Sequence, residues 1–161
     1  MNTDKEKTMR KRGFEVVRDE FRKTKGEIIL PKRATAHSAG YDFYLPEDIT
    51  VPAHGTSGII PTDVKAYMQE GEVLMLYVRS SIGIKKGLIL ANGTGIIDRD
   101  FFSNESNDGN ICLALRNETD NDITLKAGER VMQGVFVNYL TIDNDDTTTE
   151  RIGGIGSSGT E

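Results

Sequence analysis

The sequence has little of what several protein classes require. Its 161 residues include one cysteine, two histidines and no tryptophan. Cys112 has no second cysteine for an internal disulfide, and with only His37 and His54 beside it the donors of a structural zinc site are lacking. No run of about 18 apolar residues is present, so no membrane span is expected. The charged start is unlike a secretory signal. We therefore expect one soluble, cytoplasmic domain over residues 1–161.

Charge is distributed unevenly along the chain. The formal net charge is −5, but residues 1–33 hold 11 basic and 6 acidic side chains (+5), whereas residues 34–161 hold 9 and 19 (−10). An acidic body is a poor surface for duplex nucleic acid, because neutralising phosphates needs clustered lysine and arginine. Nucleic-acid binding is therefore not expected. The basic N-terminal segment has no assigned role, and we expect its residues 1–12 to be frayed.

Short apolar runs separated by Gly, Pro, Asn and Asp dominate the chain after residue 26. They recur about every 8–12 residues, as in an all-β sandwich or barrel. Residues 41–45, 72–79 and 130–140 are three of these runs. The four prolines border such runs, which is where strand ladders tolerate them. The pattern predicts an all-β fold.

One segment has a helical rather than a strand period. Phe14, Val17 and Phe21 fall at positions i, i+3 and i+7, which predicts a short amphipathic helix over residues 14–23. A single helical turn is also predicted at residues 66–68.

The C-terminal segment is rich in glycine and serine. An acidic linker over residues 143–149 leads into residues 150–161, which contain Arg151. Glycine-rich backbone exposes N–H groups that bind anions, and an arginine adds a permanent positive charge. Residues 150–161 are therefore interpreted either as a floppy end or as a functional flap.

Two further segments carry residues suited to phosphate chemistry. Asp98 follows the apolar pair Ile96 and Ile97, and apolar neighbours raise the pKa of a carboxyl group. Asp98 is therefore a candidate general base, with a turn-capping aspartate as the alternative. Arg79 and the two serines after it end the most apolar run, where they can bind phosphate oxygens.

The order of five segments is more informative than any one of them. They are AGYDFY at 39–44, RSSIG at 79–83, NGTGIIDRDF at 92–101, GERVMQ at 128–133 and RIGGIGSSG at 151–159. This succession resembles the five motifs of the homotrimeric dUTP diphosphatase (dUTPase) family, with features of its phage and Gram-positive members. The resemblance spans about 120 of the 161 residues.

The resemblance implies a β jelly roll that assembles as a homotrimer, each active site taking motifs from all three subunits. It implies hydrolysis of dUTP to dUMP and diphosphate with Mg²⁺ on the triphosphate. Asp98 matches the aspartate that activates the attacking water, and Asp42 matches an aspartate associated with hydrated Mg²⁺. Phe101 matches the aromatic residue that packs on the deoxyribose. The implied substrate-binding residues are Arg79, Ser80, Ser81, Asn92, Gly95, Ile96, Ile97, Phe101, Gln133, Arg151, Ile155, Gly156, Ser157 and Ser158.

Several positions depart from the family pattern. Phe101 stands where the family usually has tyrosine, so the ring face is kept and the hydroxyl is lost. Ile155 stands where a phenylalanine usually stacks on uracil, and an aliphatic side chain covers a base without stacking on it. The spacing from Arg151 to the following glycine pair is one residue short. Residues 102–108 form an insertion at the rim of the implied site.

Two alternatives follow from the same resemblance. A dCTP deaminase shares the fold but needs a glutamate on the strand after the Asp98 hairpin, and here that stretch reads Leu113-Ala114-Leu115. Deamination is therefore disfavoured. A regulatory member would bind a protein partner, with the insertion 102–108 and the predicted helix 14–23 as contact surfaces.

Overall fold

The computed structural model describes residues 10–156, and this part of the chain is almost entirely β structure. The strands are β1 (Gly13–Val16), β2 (Lys32–Arg33), β3 (Tyr41–Tyr44), β4 (Ile49–Val51), β5 (Ile60–Pro61), β6 (Val64–Tyr67), β7 (Glu72–Val78), β8 (Leu88–Leu90), β9 (Gly95–Ile97), β10 (Cys112–Leu113), β11 (Leu115–Asn117), β12 (Ile123–Leu125) and β13 (Arg130–Asn138). Short 3₁₀ helices occupy Asp19–Phe21 and Arg99–Phe101, and a π-helical turn occupies Ser81–Lys85. The all-β prediction is confirmed.

The largest sheet has five antiparallel strands in the order β2-β3-β13-β7-β9. The long strand β13 lies in its middle, with Gly134 opposite Leu76 of β7 and Tyr41 of β3. Four two-stranded ladders complete the described fold: β1–β6, β10–β5, β11–β8 and β12–β4. Leu74 and Leu76 point to the same face of β7 and are fully buried. Each such side chain contributes about 1.5–3 kcal/mol by leaving water.

The edge strand β9 owes its position to two glycines. Gly93 has φ +75°, a left-handed conformation that closes the hairpin leading into β9. A Cβ on Gly95 would lie 2.8 Å from the Leu76 Cβ, so only glycine lets β9 approach β7 this closely. The pairing of Ile97 with Leu74 then brings Asp98 out at the edge of the sheet.

The N-terminal segment differs from its prediction. The helix predicted over 14–23 is wrong, because Phe14 lies in β1 and pairs with Ala66 of β6. Only the 3₁₀ turn Asp19–Phe21 is helical there. The helical turn predicted at 66–68 is also wrong, since Ala66 belongs to β6. Pairing with a partner strand overrides the local apolar spacing, as tertiary context commonly does.

Two buried carboxylates hold the described N-terminal residues 10–24, the N-terminal arm, against the body. Asp63 accepts hydrogen bonds from the backbone N–H groups of Lys23 and Thr24, both at 2.9 Å, and from the Thr24 hydroxyl at 2.6 Å. Asp108 accepts the Arg18 backbone N–H at 2.8 Å and the Lys65 ammonium at 2.9 Å. These contacts hold the described part of the N-terminal segment on the body, mainly through its backbone N–H groups.

The environment of these carboxylates favours their charged forms. Burial alone would raise the pKa of Asp63, but hydrogen bonds from Thr24, Lys23 and Asn110 outweigh it and lower the pKa. Burial likewise opposes ionisation of Asp108, and the contacts with Arg18 and Lys65 lower its pKa below the usual value. Both groups therefore stabilise the folded chain as anions.

Residues 1–9 of the segment predicted to be frayed lie outside the described residues. Arg12 does make contacts, with an ion pair to Glu72 at 2.6 Å. Arg10 pairs with Glu15 and lies 4.0 Å from the centre of the Tyr67 ring. Over residues 10–156, no helix has the length and apolar character needed to cross a bilayer.

Candidate active site

A cleft of about 320 Å³ lies beside β9 and the hairpin that precedes it. This volume is near the lower end of the usual range for small-molecule sites, about 300–1,000 Å³. Nine of the residues implied by the family resemblance line it: Asn92, Gly95, Ile96, Ile97, Asp98, Phe101, Arg151, Ile155 and Gly156. The structure thus brings together the third and fifth motifs. Ser157 and Ser158 lie outside the described residues.

Asp98 stands where β9 ends and the 3₁₀ turn Arg99–Phe101 begins. Its carbonyl accepts the Phe101 N–H at 3.1 Å, which fixes the turn, while its carboxylate is 52% exposed at the mouth of the cleft. Phe101 is buried and forms part of the cleft wall. A polar, accessible carboxylate beside an apolar ring is a suitable arrangement for a base acting on bound water.

Arg151 of the C-terminal tail forms ion pairs with Asp98 and Asp100. Its Nη2 lies 2.8 Å from Asp98 Oδ2 and its Nε lies 2.8 Å from Asp100 Oδ1. Its guanidinium carbon is 5.9 Å from the centre of the Phe101 ring, and the side chain is only 12% exposed. Sequence reasoning did not single out Asp100. The sequence did contain a signal for it, because Asp100 is the second aspartate of Asp-Arg-Asp, two residues after Asp98.

Apolar residues and one thiol complete the lining of the cleft. Cys112, Leu113, Ala114 and Ile59 lie there. Burial raises the pKa of the Cys112 thiol to about 11, with the negative charge of Asp63 as a smaller cause. The thiol is therefore protonated at neutral pH. No carboxylate from this stretch faces the cleft among the described residues, so the proton shuttle of a deaminase is missing.

A second group of implied residues lies elsewhere on the five-stranded sheet. Asp42 is buried, with Oδ1 3.1 Å from Arg79 Nε and Oδ2 3.3 Å from Arg130 Nη1. Gln133 is the cross-strand neighbour of Asp42 and packs against Gly40, whose missing side chain leaves room for the glutamine amide. The first, second and fourth motifs therefore meet here. Sequence reasoning missed Arg130, although it stands within GERVMQ.

The π-helical turn after β7 carries the two implied serines. Ser80 is exposed at its start, and Ser81 is half-buried within it. The Arg79 N–H donates to the Val131 carbonyl at 3.2 Å, which ties the turn to β13. Arg79, Ser80 and Ser81 thus lie at one end of the group of residues around Asp42.

The two groups are far apart within one chain. Ile97 pairs with Leu74, which places Asp98 level with Val73, and Arg79 follows six residues further along β7. At about 3.3 Å per residue, the two positions are about 20 Å apart along the strand. The Asp98 cleft and the Arg79 turn are therefore separate regions of one chain.

Contact of hydrated Mg²⁺ with Asp42 stays a prediction, and it would have to run through water because this carboxylate is buried. Its two arginine contacts use part of the four or so acceptor positions that a carboxylate offers. Among residues 10–156, His, Cys, Asp and Glu side chains form no group of three able to chelate a metal directly. Magnesium prefers oxygen ligands and keeps several waters, which suits an ion carried mainly by phosphate oxygens.

Fold and site together define a class of protein: a small all-β domain with a carboxylate at a cleft on the edge strand and arginines at a distant strand end. Residues 26–159 match the family model for dUTPase. The chain belongs to the dUTPase family.

Individual relatives agree with this assignment. The chain is 47% identical over 153 residues to the deoxyuridine 5'-triphosphate nucleotidohydrolase of Lactococcus lactis, covering 94% of this chain and 99% of the relative. The crystal structure of the Streptococcus mutans dUTPase superposes with a TM-score of 0.73 at 48% identity, covering 82% of this chain and 99% of that one. A dUTPase from phage phi11 of S. aureus, 19% identical, shares the fold with a TM-score of 0.67 over 87% and 97% of the two chains. The predicted jelly roll is confirmed.

Proposed function

We propose that this chain hydrolyses dUTP to dUMP and diphosphate, with Asp98 activating the attacking water. The cleft is the observation that carries the proposal. It presents the exposed Asp98 carboxylate beside the Asn92 hairpin and the Phe101 ring, in a family whose relatives are named for this reaction. A base fixed at the end of a strand can hold water for in-line attack on the α-phosphorus, and phosphoryl transfer depends mainly on such positioning.

The cleft wall supplies two elements of selectivity. The hairpin around Asn92 and the backbone of β9 offer the polar groups that would read the uracil edge. Phe101 would pack on the sugar, where a 2′-hydroxyl would lose water without gaining a hydrogen-bond partner. Ile155, 64% exposed at the cleft, would cover the base from the tail side.

The active site would be completed by further copies of the chain in a homotrimer. The resemblance implies motifs from all three subunits, whereas here the third and fifth motifs line one cleft of a single chain. The support is the separation of about 20 Å between Asp98 and the Arg79 turn, which leaves the two groups of implied residues at different places on one chain. In this assembly Arg79, Ser80, Ser81 and Gln133 of one copy would bind the phosphates of a nucleotide whose base lies in the cleft of another. Asp42 would orient Arg79 for this role.

The active site needs its own positive charges to bind an anionic triphosphate, because residues 34–161 carry a formal charge of −10. Mg²⁺ bound to the triphosphate offsets negative charge that develops on the phosphate oxygens. Arg79 and Arg151 would supply the rest. Arg151 now pairs with Asp98 and Asp100. When it turns to a phosphate, the Asp98 carboxylate becomes free to accept a proton, and the tail closes over the site as a lid.

A diphosphate-release assay with dUTP, dTTP, dCTP and UTP, each with and without Mg²⁺, tests the proposal. We expect turnover of dUTP with Mg²⁺ and much slower release from the other three. Hydrolysis of UTP as fast as dUTP would contradict the role of Phe101, and no release from dUTP would contradict the proposed reaction.

Co-expression of Asp98→Asn and Arg79→Ala chains tests the shared site. Every mixed trimer then contains one site with an intact Asp98 and an intact Arg79 from different copies, so about a quarter of wild-type activity should return. Each variant alone should be nearly inactive. Activity that stays at the level of the single variants would show that one copy supplies both residues.

The other predictions have less support. The absence of a carboxylate at Cys112–Leu113 and Ala114 agrees with rejecting deamination. The two surfaces suggested for a regulatory partner are used within the chain: the N-terminal arm contacts Asp63 and Asp108, and residues of 102–108 pack near the tail. We propose a cytoplasmic, single-domain enzyme.

A further inference from the structure

The loop at residues 103–109, the 103–109 loop, lies beside the cleft and has no part in the proposed reaction. It is folded on itself around Asn104, which is buried. The Asn104 Nδ2 donates to the Phe101 carbonyl at 2.8 Å, and its Oδ1 accepts the N–H groups of Ser106 at 3.0 Å and Asn107 at 3.2 Å. The loop is thereby fixed to the turn that carries Asp98 and Phe101.

The far end of the loop is anchored inside the protein. Asp108 is fully buried and takes φ +59°, a backbone conformation that a non-glycine residue adopts only when its surroundings hold it. Its carboxylate is bound by Lys65 Nζ at 2.9 Å, by the Arg18 backbone N–H at 2.8 Å and by Arg18 Nε at 3.1 Å. The N-terminal arm therefore holds the loop in place.

The tail crosses this loop at Gly154, which is buried. A Cβ added there would lie 2.8 Å from Asn107 Nδ2 and 2.9 Å from Ser106 Oγ. The Asn107 amide cannot swing aside freely, because its Oδ1 accepts the Gly109 N–H at 3.0 Å and Asn104 Nδ2 at 2.6 Å. A side chain at residue 154 would therefore have to displace the Asn107 amide and the Ser106 hydroxyl.

We propose that the 103–109 loop is a seat for the C-terminal tail, with Gly154 fitted against Ser106 and Asn107. The seat would set the tail so that Arg151 reaches Asp98 and Ile155 covers the cleft. The proposal rests on the proposed function only in taking the tail as the lid of the active site. It gives the insertion a role in positioning that lid.

Trypsin cleavage after Arg151 measures whether the tail is seated, without any nucleotide. Arg151 is largely covered in the structure, so the wild-type chain should be cut slowly there. Gly154→Ala should raise the cleavage rate about tenfold, because crowding by Asn107 lifts the tail from the loop. Cleavage after the exposed Lys126 and the melting temperature should not change, which separates unseating from unfolding.

A double-mutant cycle tests contact between the tail and the loop. Asn107→Ala should also speed cleavage after Arg151, and adding Gly154→Ala should then cost little, since the crowding amide has gone. The combined fold-change should fall short of the product of the single effects by about threefold or more. Ser106→Ala provides a second partner if Asn107→Ala disturbs the loop itself.

Thr149→Ala, at an exposed position in the linker directly before the tail, is the matched control and should leave the cleavage rate unchanged. Peptides spanning residues 146–159 correct for any effect of sequence on trypsin. If trypsin cuts Gly154→Ala after Arg151 as slowly as it cuts wild type, or if the fold-changes multiply in the cycle, the seat is overturned. Neither result bears on the proposed hydrolysis of dUTP. Failure of dUTP hydrolysis with normal protection of Arg151 would instead overturn the proposed function.

Discussion

The N-terminal arm and the C-terminal tail both lie on the body beside the 103–109 loop, yet they are held by different kinds of contact. The arm is bound by Asp63 and Asp108, whose side chains are fully buried. The tail is bound through Arg151 to Asp98 and Asp100, whose side chains are 52% and 59% exposed. The difference separates a fixed attachment from a releasable one.

The physical reason is the cost of leaving a charge behind. Removing one partner of a buried pair leaves an uncompensated charge away from water, whereas an exposed ion pair contributes only about 0–1 kcal/mol. Water can therefore take over the contacts of Asp98 when Arg151 leaves, but it has no access to Asp108. The lid proposed above, which would open for substrate and product, needs this asymmetry.

Removing a buried carboxylate that holds the arm should have the largest effect. Asp108→Ala leaves Lys65 buried without its counter-ion and should lower the free energy of unfolding by about 3–5 kcal/mol. For a chain of this size that is a fall in Tm of about 6–20 °C. Thermal melts followed by circular dichroism measure it.

Glu118→Ala is the matched control for that change, because Glu118 pairs with Arg116 at 2.6 Å on the surface. Its expected cost is about 1 kcal/mol or less. If both variants melt at the same temperature, the buried Asp108 carboxylate does not hold the arm.

Removing the tail should act on turnover and not on folding. A chain ending at Thr149 loses the contacts of Arg151 but none of the core, so its Tm should stay within about 2 °C of wild type. Its kcat for dUTP should fall about 100-fold or more, because a charge that stabilises the transition state is gone. Equal kcat values for the full and shortened chains would reduce residues 150–161 to a passive end.

Acid should loosen the arm in a defined pH range. A carboxyl group whose pKa is lower in the folded than in the unfolded chain stabilises the fold above its unfolded value, about 3.9, and ceases to do so as pH falls through the folded value. Asp63 and Asp108 are such groups. The Tm of the wild type should be nearly constant from about pH 7 to 5 and fall below about pH 4.

Asp63→Asn should change the shape of that profile. The variant should be less stable than wild type at pH 7, and the two Tm curves should converge in acid, where the wild-type carboxyl group is protonated too. Parallel curves down to pH 2.5 would show that Asp63 contributes nothing as an anion.

Much of the fold was predictable because its strands are short and bordered by turn residues. Residues 41–45 and 72–79 were predicted as strands and are observed as Tyr41–Tyr44 and Glu72–Val78. Residues 14–23 were misread because their apolar spacing satisfies a helix, while the pairing partner of Phe14 lies 52 residues away at Ala66. Long-range pairing leaves no local signal.

The residues at the site also divide into those that were predictable from the sequence and those that were not. The roles of Asp98 and Phe101 stay predictions. Their placement at one site was predictable because they follow a strand in a recognisable motif, and the cleft brings them together. The roles of Asp63 and Asp108 were not, because each stands among ordinary turn residues and only the fold shows what binds it. The ion pair between Arg151 and Asp100 joins residues 51 positions apart and also required the structure.

The most direct test of the central claim is diphosphate release from dUTP by Asp98→Asn. Asparagine keeps the shape of the side chain but cannot accept the proton of the attacking water. The account predicts a folded protein with wild-type Tm, retained dUTP binding and kcat reduced about 100-fold or more. Hydrolysis at close to the wild-type rate would contradict it.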